Sequence, residues 1–462
     1  MRTTFQKLPF YKKASDLFSL FKEEPQAVFL DSSLENTLGQ YSIICLNPYL
    51  TISEENGTCF CNQIPQQESF EDCLSRYLRE HEEDNPTHLP LIAGAVGYLT
   101  YDYGRKFENI PSRHPKNIQM PDAFFTFYDN FIIEDIKEKK LWLTACGKTG
   151  DPRTSMSKIL TKIRNCPPSP LPRRHGQTAP FRPNFEKEEY KQAIDRMISY
   201  IVQGDIYIAN MTQQLQVTSK ADPYLAYSYL RTHNPAPFGA YLNYGTFQIL
   251  CASPERFLQV QDGIVQTRPI KGTRKRGTTP REDEALRQEL EGSQKDRSEL
   301  LMIVDLERND LNHVCRPGSV KVTENFAVEA YATVFHLVST IEGKLKKECD
   351  LTDLIRAAFP GGSITGAPKI RAMEIIDELE HDRRGLYTGS IGYLSLDGSC
   401  DLNIVIRTAV HQDGIYTLGV GGGITCESDL EFEYEETLQK AKAVLEALWQ
   451  KEGEPYDNTD PR

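Results

Sequence analysis

Apolar residues in the first 150 positions come in short runs. Val28–Leu30, Tyr41–Cys45, Leu91–Tyr98 and Phe124–Ile133 are rich in β-branched and aromatic side chains, which predicts strands. Residues 132–143 read as a hairpin around a charged Lys137–Lys140 turn. After residue 185 the period changes. Ile194, Met197, Ile198 and Ile201 share one face of a predicted helix from about Phe185 to Gly204, where glycine ends it. A strand follows at once, with Tyr207, Ala209, Met211, Leu215 and Val217 alternating with Ile208, Asn210, Thr212, Gln214 and Gln216. Helices are predicted at 293–310, 366–383 and 428–449. Strands are predicted at 387–396, 402–411 and 415–420, with Asp397-Gly398 and Asp413-Gly414 as hairpin turns. Sequential hairpins with separate helices predict an α+β fold of antiparallel sheets packed with helices, not a βαβ array.

Between Cys166 and Pro183 six prolines fall in eighteen residues, with Arg173, Arg174 and His175 among them. Such a stretch is a stiff linker or surface crossing. The expected organisation is a mostly-β half over 1–165, a linker over 166–184, a second region over 185–450 and a disordered tail over 451–462. A chain of 462 residues with 39% hydrophobic and 26% charged residues has a globular composition. Its net charge of −12 and lack of a basic face argue against nucleic acid as a partner. No apolar run approaches the roughly 20 residues needed to cross a bilayer, and the N-terminus has no apolar signal segment, so a cytoplasmic protein is expected. Eleven scattered cysteines, with Cys59 and Cys61 as a lone C-x-C, predict reduced thiols and no zinc site.

Several residues have chemical potential. Ser293 is a candidate N-cap for a helix on which Asp296 and Glu299, three apart, share a face. A second helix starts near Ser428, with Glu431 completing a capping box. On it Glu433, Glu436 and Lys440 border an apolar stripe. Carboxylates held at such an edge repel, and a hard divalent cation relieves that repulsion; the helix dipole alone also favours acids in a first turn. The glycine turn at 359–369 opens a helix with Lys369 and Arg371 nearby, which suits an anion. The run Gly419–Ile424 follows a strand and brings backbone amides close to a ligand carboxylate; both glycine runs are equally plain backbone devices. Lys271 lies among Arg268, Arg274, Lys275 and Arg276, whose charges disfavour its own. A neutral amine is a nucleophile, and a solvated basic loop is the plainer alternative. Arg407, placed in a strand opposite Leu402, Ile404 and Ile406, has the geometry to clamp a carboxylate.

Together these segments resemble the chorismate-binding family, which includes anthranilate, aminodeoxychorismate, isochorismate and salicylate synthases. The matching stretches are SPERF at 253–257, TRPIKGT at 267–273, KDRSELLMIVDLERND at 295–310, HLVSTIEG at 336–343 and FPGGSITGAPKIRAMEII at 359–376. They continue with YTGSIGY at 387–393, IRTA at 406–409, GVGGGI at 419–424 and EFEYEET at 431–437. YSIICLNP at 41–48 and GAVGYLTYDYGR at 94–105 fit the family's large-subunit branch more weakly. The resemblance implies a layered sandwich like that of anthranilate synthase component I. It implies Mg²⁺ on Glu299 and Glu436, with Glu433 and Asp296 nearby through water. It implies that Thr273, Thr365, Tyr387, Arg407, the amides of Gly421 and Gly422, and Lys440 hold chorismate. Glu255 is implied as the general acid that helps hydroxide leave, with His336 also in the catalytic set.

Two positions choose among family members. Anthranilate synthases typically carry alanine where this chain has Lys271. In the aminodeoxychorismate branch that lysine is understood as a covalent nucleophile. Isochorismate and salicylate synthases carry a water-activating lysine where this chain has Ile208, so water addition is disfavoured; the amine-adding branches usually carry glutamine there, so Ile208 departs from them as well. No G-x-C-x-G glutaminase elbow is found, and the resemblance implies ammonia from a separate glutamine amidotransferase subunit. It also implies a tryptophan pocket around Ser32, Leu38, Gly39, Gln40, Tyr41, Pro237, Phe238 and Gly239. The expected activity is therefore amination of chorismate for 4-aminobenzoate and folate. Anthranilate synthesis and a non-catalytic chorismate- or tryptophan-binding regulator are the alternatives.

Overall fold

A computed structural model describes residues 3–110, 112–331 and 334–450. The tail expected to be disordered, 451–462, lies outside the described residues.

Every strand pairing is antiparallel, and the strands form one continuous hydrogen-bonded network. Its longest ladder joins Tyr41–Glu55 to Ala123–Asp135. The N-terminal and C-terminal halves are stitched together by the sheet itself. Val28–Asp31 pairs with Phe238–Asn243, and Gly94–Leu99 pairs with Ser390–Ser395. The proline-rich crossing is tied down too. His175 stacks on Tyr229, the Ala179 amide donates to Leu445, and Arg182–Pro183 pairs with Leu215 and Gln216.

Three apolar cores separate the layers. The smallest matters most for the site. It packs the helices Lys187–Gln203 and Lys369–Leu379 onto the strand Ile208–Thr218 through Ile194, Met197, Met211, Ile375 and Ile376. Each such fully buried aliphatic side chain contributes about 1.5–3 kcal/mol. The 187–203 helix starts with a capping box between Glu186 and Glu189 and ends at Gly204, whose φ of 86° is the left-handed conformation glycine adopts freely. The strand Ile208–Thr218 alternates in sequence, yet its first eight residues are all buried, because helices cover one face and the Glu380–Arg383 segment, bonded to Thr212 and Gln214, covers the other.

Two elements differ from the sequence pattern. The strand expected at 402–411 is two strands, Cys400–Asn403 and Thr408–Gln412. Arg407 between them has φ 51°, which breaks the pleat and places it outside either strand. The last helix, Leu430–Ala447, is capped by Asp429, which accepts from the Phe432 amide, not by Ser428 with Glu431. Glu431 pairs with Lys187 and Lys191 instead, and Ser428 donates to Glu433 at 2.7 Å. All eleven cysteines are free, and no described helix is long and apolar enough to cross a membrane.

Candidate active site

The site is built on a strand that loses a neighbour. Ile415–Ile424 pairs along its whole length with Ile208–Thr218, but with Thr408–Gln412 only as far as Leu418. The turn at Arg407 ends that second ladder, so Gly419–Gly423 has one edge open. The open edge is packed so closely that side chains there are excluded. A methyl on Gly419 would stand 2.1 Å from Tyr387 Cγ. One on Gly422 would stand 2.9 Å from Glu436 Oε2 and 3.1 Å from Glu433 Oε2, and one on Gly423 3.3 Å from Lys271 Nζ. Tyr387, the Glu433–Glu436 turn of one helix and Lys271, from three separate segments, thus gather around one glycine strand. Lys440 joins them, donating to the Gly421 carbonyl at 2.9 Å and pairing with Glu436 at 2.7 Å.

Lys271 lies on the strand Ile270–Lys275, where a register shift around Gly272 (φ 66°) re-aims the side chains. Its Nζ donates to the Ser363 carbonyl at 3.0 Å. Its pKa is lowered, but not mainly by the flanking cations read from the sequence. Burial is the main cause, Glu299 and Glu255 oppose it, and Lys440 adds to it. Arg268 pairs with Glu324 and Glu329, Arg274 with Glu289 and Asp296, and Arg276 with Asp283. Those guanidiniums are neutralised where they stand.

Three further groups are short of partners. Glu255 is buried, its Oε1 has no hydrogen bond, and burial raises its pKa against the opposing pull of Ser363 and Lys271. His336 accepts or donates at Nδ1 with Thr273 Oγ1 at 3.0 Å, while its buried Nε2 is unpaired. Burial, with Arg407 nearby, pushes His336 down to about 3, so its ring is neutral at physiological pH. Arg407 is half-buried; its carbonyl accepts from the Ala252 amide at 3.2 Å, but its side chain has no hydrogen bond or ion pair among the described residues. Burial disfavours its charge.

The acidic side is less uniform than expected. Glu299 takes no hydrogen bond or ion pair among the described residues. Burial raises its pKa, with Asp296 and Glu436 adding to the effect against Lys271 and Lys295. Glu433 is raised likewise by burial, with Glu436 contributing. Asp296 faces Arg274 at 3.1 Å and is already compensated. Among the described residues no group of three or more such side chains is gathered tightly enough to hold a metal. Glu299, Glu433 and Glu436 nonetheless supply hard oxygens with mutual repulsion, the donor chemistry a divalent cation favours.

Other predicted residues have structural duties. Thr365 spends its hydroxyl proton on the Gly361 carbonyl at 2.9 Å. Lys369 is bound to Asp310 at 2.6 Å and Arg371 to Asp205 and Glu374, so the helix start at 369 has no free cation for an anion.

A family model described as chorismate binding enzyme matches residues 26–446. The chain belongs to the chorismate-binding enzymes. It is 38% identical over 449 residues, 96% of its length and 98% of the relative's, to aminodeoxychorismate synthase component 1 of Klebsiella aerogenes. It is 36% identical over 455 residues to anthranilate synthase component 1 of Acetivibrio thermocellus, covering 93% of this chain and 92% of that one. Its fold matches the crystal structure of anthranilate synthase component I from Streptococcus pneumoniae with a TM-score of 0.81 at 32% identity, over 89% of this chain and 93% of that one. The α+β architecture is thus that of anthranilate synthase component I.

In this chorismate-binding enzyme a cavity lies away from Lys271. Ser32, Leu38, Tyr41, Pro237, Phe238 and Gly239 line it as expected, whereas Gly39 and Gln40 do not. Asp401 and Asn403 also line it, and the chain runs on from them to Ile404, whose amide donates to the Glu255 carbonyl. Ser363, Tyr331 and Glu307 were not singled out from sequence. Ser363 and Glu307 lie inside the quoted motifs, but only the fold shows Ser363 holding Lys271, Tyr331 edge-on to His336 at 5.0 Å, and Glu307 buried behind Glu255.

Proposed function

We propose that this enzyme converts chorismate and ammonia to 4-amino-4-deoxychorismate, as the large component of an aminodeoxychorismate synthase. The observation that carries the reading is Lys271, a buried amine of lowered pKa against the glycine strand, where anthranilate synthases resembling this chain typically have alanine. The neutral amine forms a bond to carbon 2 of chorismate. Both ring double bonds shift by one position and the carbon 4 C–O bond breaks, with Glu255 giving its proton so that water leaves and the lysine nitrogen is left as a secondary ammonium. Ammonia then bonds to carbon 4, both double bonds shift back, the C–N bond to Lys271 breaks to release the neutral amine, and the new ammonium returns a proton to the Glu255 carboxylate. The enolpyruvyl group is kept throughout.

Arg407, whose side chain has no partner among the described residues, supplies the charge for a substrate carboxylate, and the open edge of the Gly419–Gly423 run supplies a neutral backbone donor. Neutral His336 adds a hydrogen bond from Nε2. Glu299 and Glu436 would hold Mg²⁺, with Glu433 nearby through water, and the ion would supply positive charge that eases the repulsion among these acids and a substrate carboxylate. Ammonia is supplied by a separate glutamine amidotransferase, and the cavity lined by Ser32, Leu38 and Phe238 takes tryptophan.

The deciding experiment incubates the purified chain with chorismate, Mg²⁺ and ammonium, with and without an aminodeoxychorismate lyase. Lyase-dependent 4-aminobenzoate is expected. Anthranilate formed without lyase would replace this reading with anthranilate synthesis. Tryptophan binding is read separately as a rise in Tm; no change at millimolar tryptophan would remove it from the cavity.

A further inference from the structure

Thr267, four residues before Lys271, has one hydroxyl proton and two short contacts. Its Oγ1 lies 2.8 Å from the Phe257 carbonyl and 2.8 Å from Glu307 Oε2. A carbonyl only accepts. If the hydroxyl donates to Phe257, the contact with Glu307 needs a proton from the Glu307 carboxyl. Glu307 has no cation within ion-pair distance among the described residues; the nearby Lys369 is bound to Asp310. The groups facing Glu307 are Glu255 and Asp310, whose charges oppose its ionisation, and Lys369, which favours it. Burial outweighs them all and raises its pKa to about 8. Glu307 also packs beneath the glycine turn, since a methyl on Gly362 would stand 3.3 Å from Glu307 Cγ. The next residue in that turn, Ser363, holds Lys271 through its carbonyl.

We propose that Glu307 is a positioning residue that works as a neutral, hydrogen-bond-donating carboxylic acid, pinning the Thr267 end of the Lys271 segment and the Phe257 strand against the Gly362–Ser363 turn. This rests on the reading of Lys271 and Glu255 as the reacting groups. An ionised carboxylate here would leave either Phe257 or Glu307 facing a lone pair at 2.8 Å. The neutral acid satisfies both with the protons available.

The test compares wild type with Glu307→Gln and Glu307→Ala in the full chain. The amide reproduces the donor without an ionisable group. Glu307→Gln is expected to keep kcat and KM within about threefold of wild type, while Glu307→Ala loses about tenfold or more in kcat/KM. A group held neutral in the fold but ionised when unfolded weakens the fold as pH rises from its unfolded value towards about 8. The Tm of Glu307→Gln should therefore gain on wild type by a few degrees between pH 5 and pH 8. Infrared difference spectra should lose one protonated-carboxyl band in Glu307→Gln. A Glu307→Gln protein that falls furthest below wild type at alkaline pH, with no band lost, would overturn the proposal. So would full kcat/KM in Glu307→Ala. The melting and infrared readouts do not depend on which product the enzyme makes, and the wild-type product assay decides that separately.

Discussion

Two arginines, twenty-three positions apart in sequence, show how differently this molecule treats a guanidinium in its interior. Arg384 is fully buried and fully engaged. It pairs with Glu380 at 2.7 Å and donates to the carbonyls of Ile364 and Asn210, and Glu380 in turn accepts from the Thr212 amide and hydroxyl. Burial costs Arg384, and Glu380 more than offsets it, so its pKa is raised. The Arg407 side chain is buried to a lesser degree, has no partner among the described residues, and has its pKa lowered. Arg384 belongs to a scaffold whose hydrogen bonds close on themselves. Arg407 belongs to a cleft that also leaves Glu255 Oε1 and His336 Nε2 unpaired. Buried polar groups left open together beside a buried amine mark where a ligand completes the structure.

The contrast can be broken by substitution, beginning with the nucleophile. Lys271→Ala should lower amination by about 10³-fold or more while leaving the fold intact, because its one protein partner is a carbonyl. Unchanged 4-amino-4-deoxychorismate output from that variant would exclude a covalent lysine. The same change at the two arginines should then give opposite results. Arg384→Met leaves Glu380 buried and unpaired, and denaturant titration should show a loss of about 3–5 kcal/mol. Arg407→Met should leave the denaturation midpoint unchanged or raised, yet lower kcat/KM for chorismate by about 10–100-fold, the worth of one charge-assisted hydrogen bond. Comparable destabilisation in both would mean that Arg407 is a structural residue after all.

The smallest effect concerns acid. His336 has its pKa depressed to about 3 in the fold. Its stabilising contribution is therefore complete above the unfolded value near 6.5 and is lost as pH falls towards the folded one. At pH 5 the unfolded state gains about 2 kcal/mol from protonating this ring. His336→Gln should remove that term, so its melting temperature should improve relative to wild type between pH 7 and pH 5. A constant difference across that range would show that the ring is not held neutral.

Much of this was legible in the chain. The 3.6-residue stripe of Ile194, Met197 and Ile201 and the alternation after Tyr207 place a helix and a strand where both are found, because each follows a local rule of backbone period. The helix Gln294–Val314 starts at its Ser293 cap for the same reason. The misreadings share a cause. At Ser428 the capping pattern was present, but Asp429 competed one residue later and Lys187, from another helix, drew Glu431 away. At 402–411 the apolar pattern read as one strand, and nothing local announced that Arg407 would turn left-handed.

The sequence by itself determined the class of fold, the family motifs and which side chains carry chemistry, since residue type and spacing are properties of the covalent chain. Only the tertiary structure decided which of those side chains are left without partners. Lys271 owes its lowered pKa to burial, while the arginines beside it are neutralised by acids up to 61 positions away. Desolvation and pairing depend on what long-range packing brings within a few ångströms, and no local pattern of residues encodes that distance.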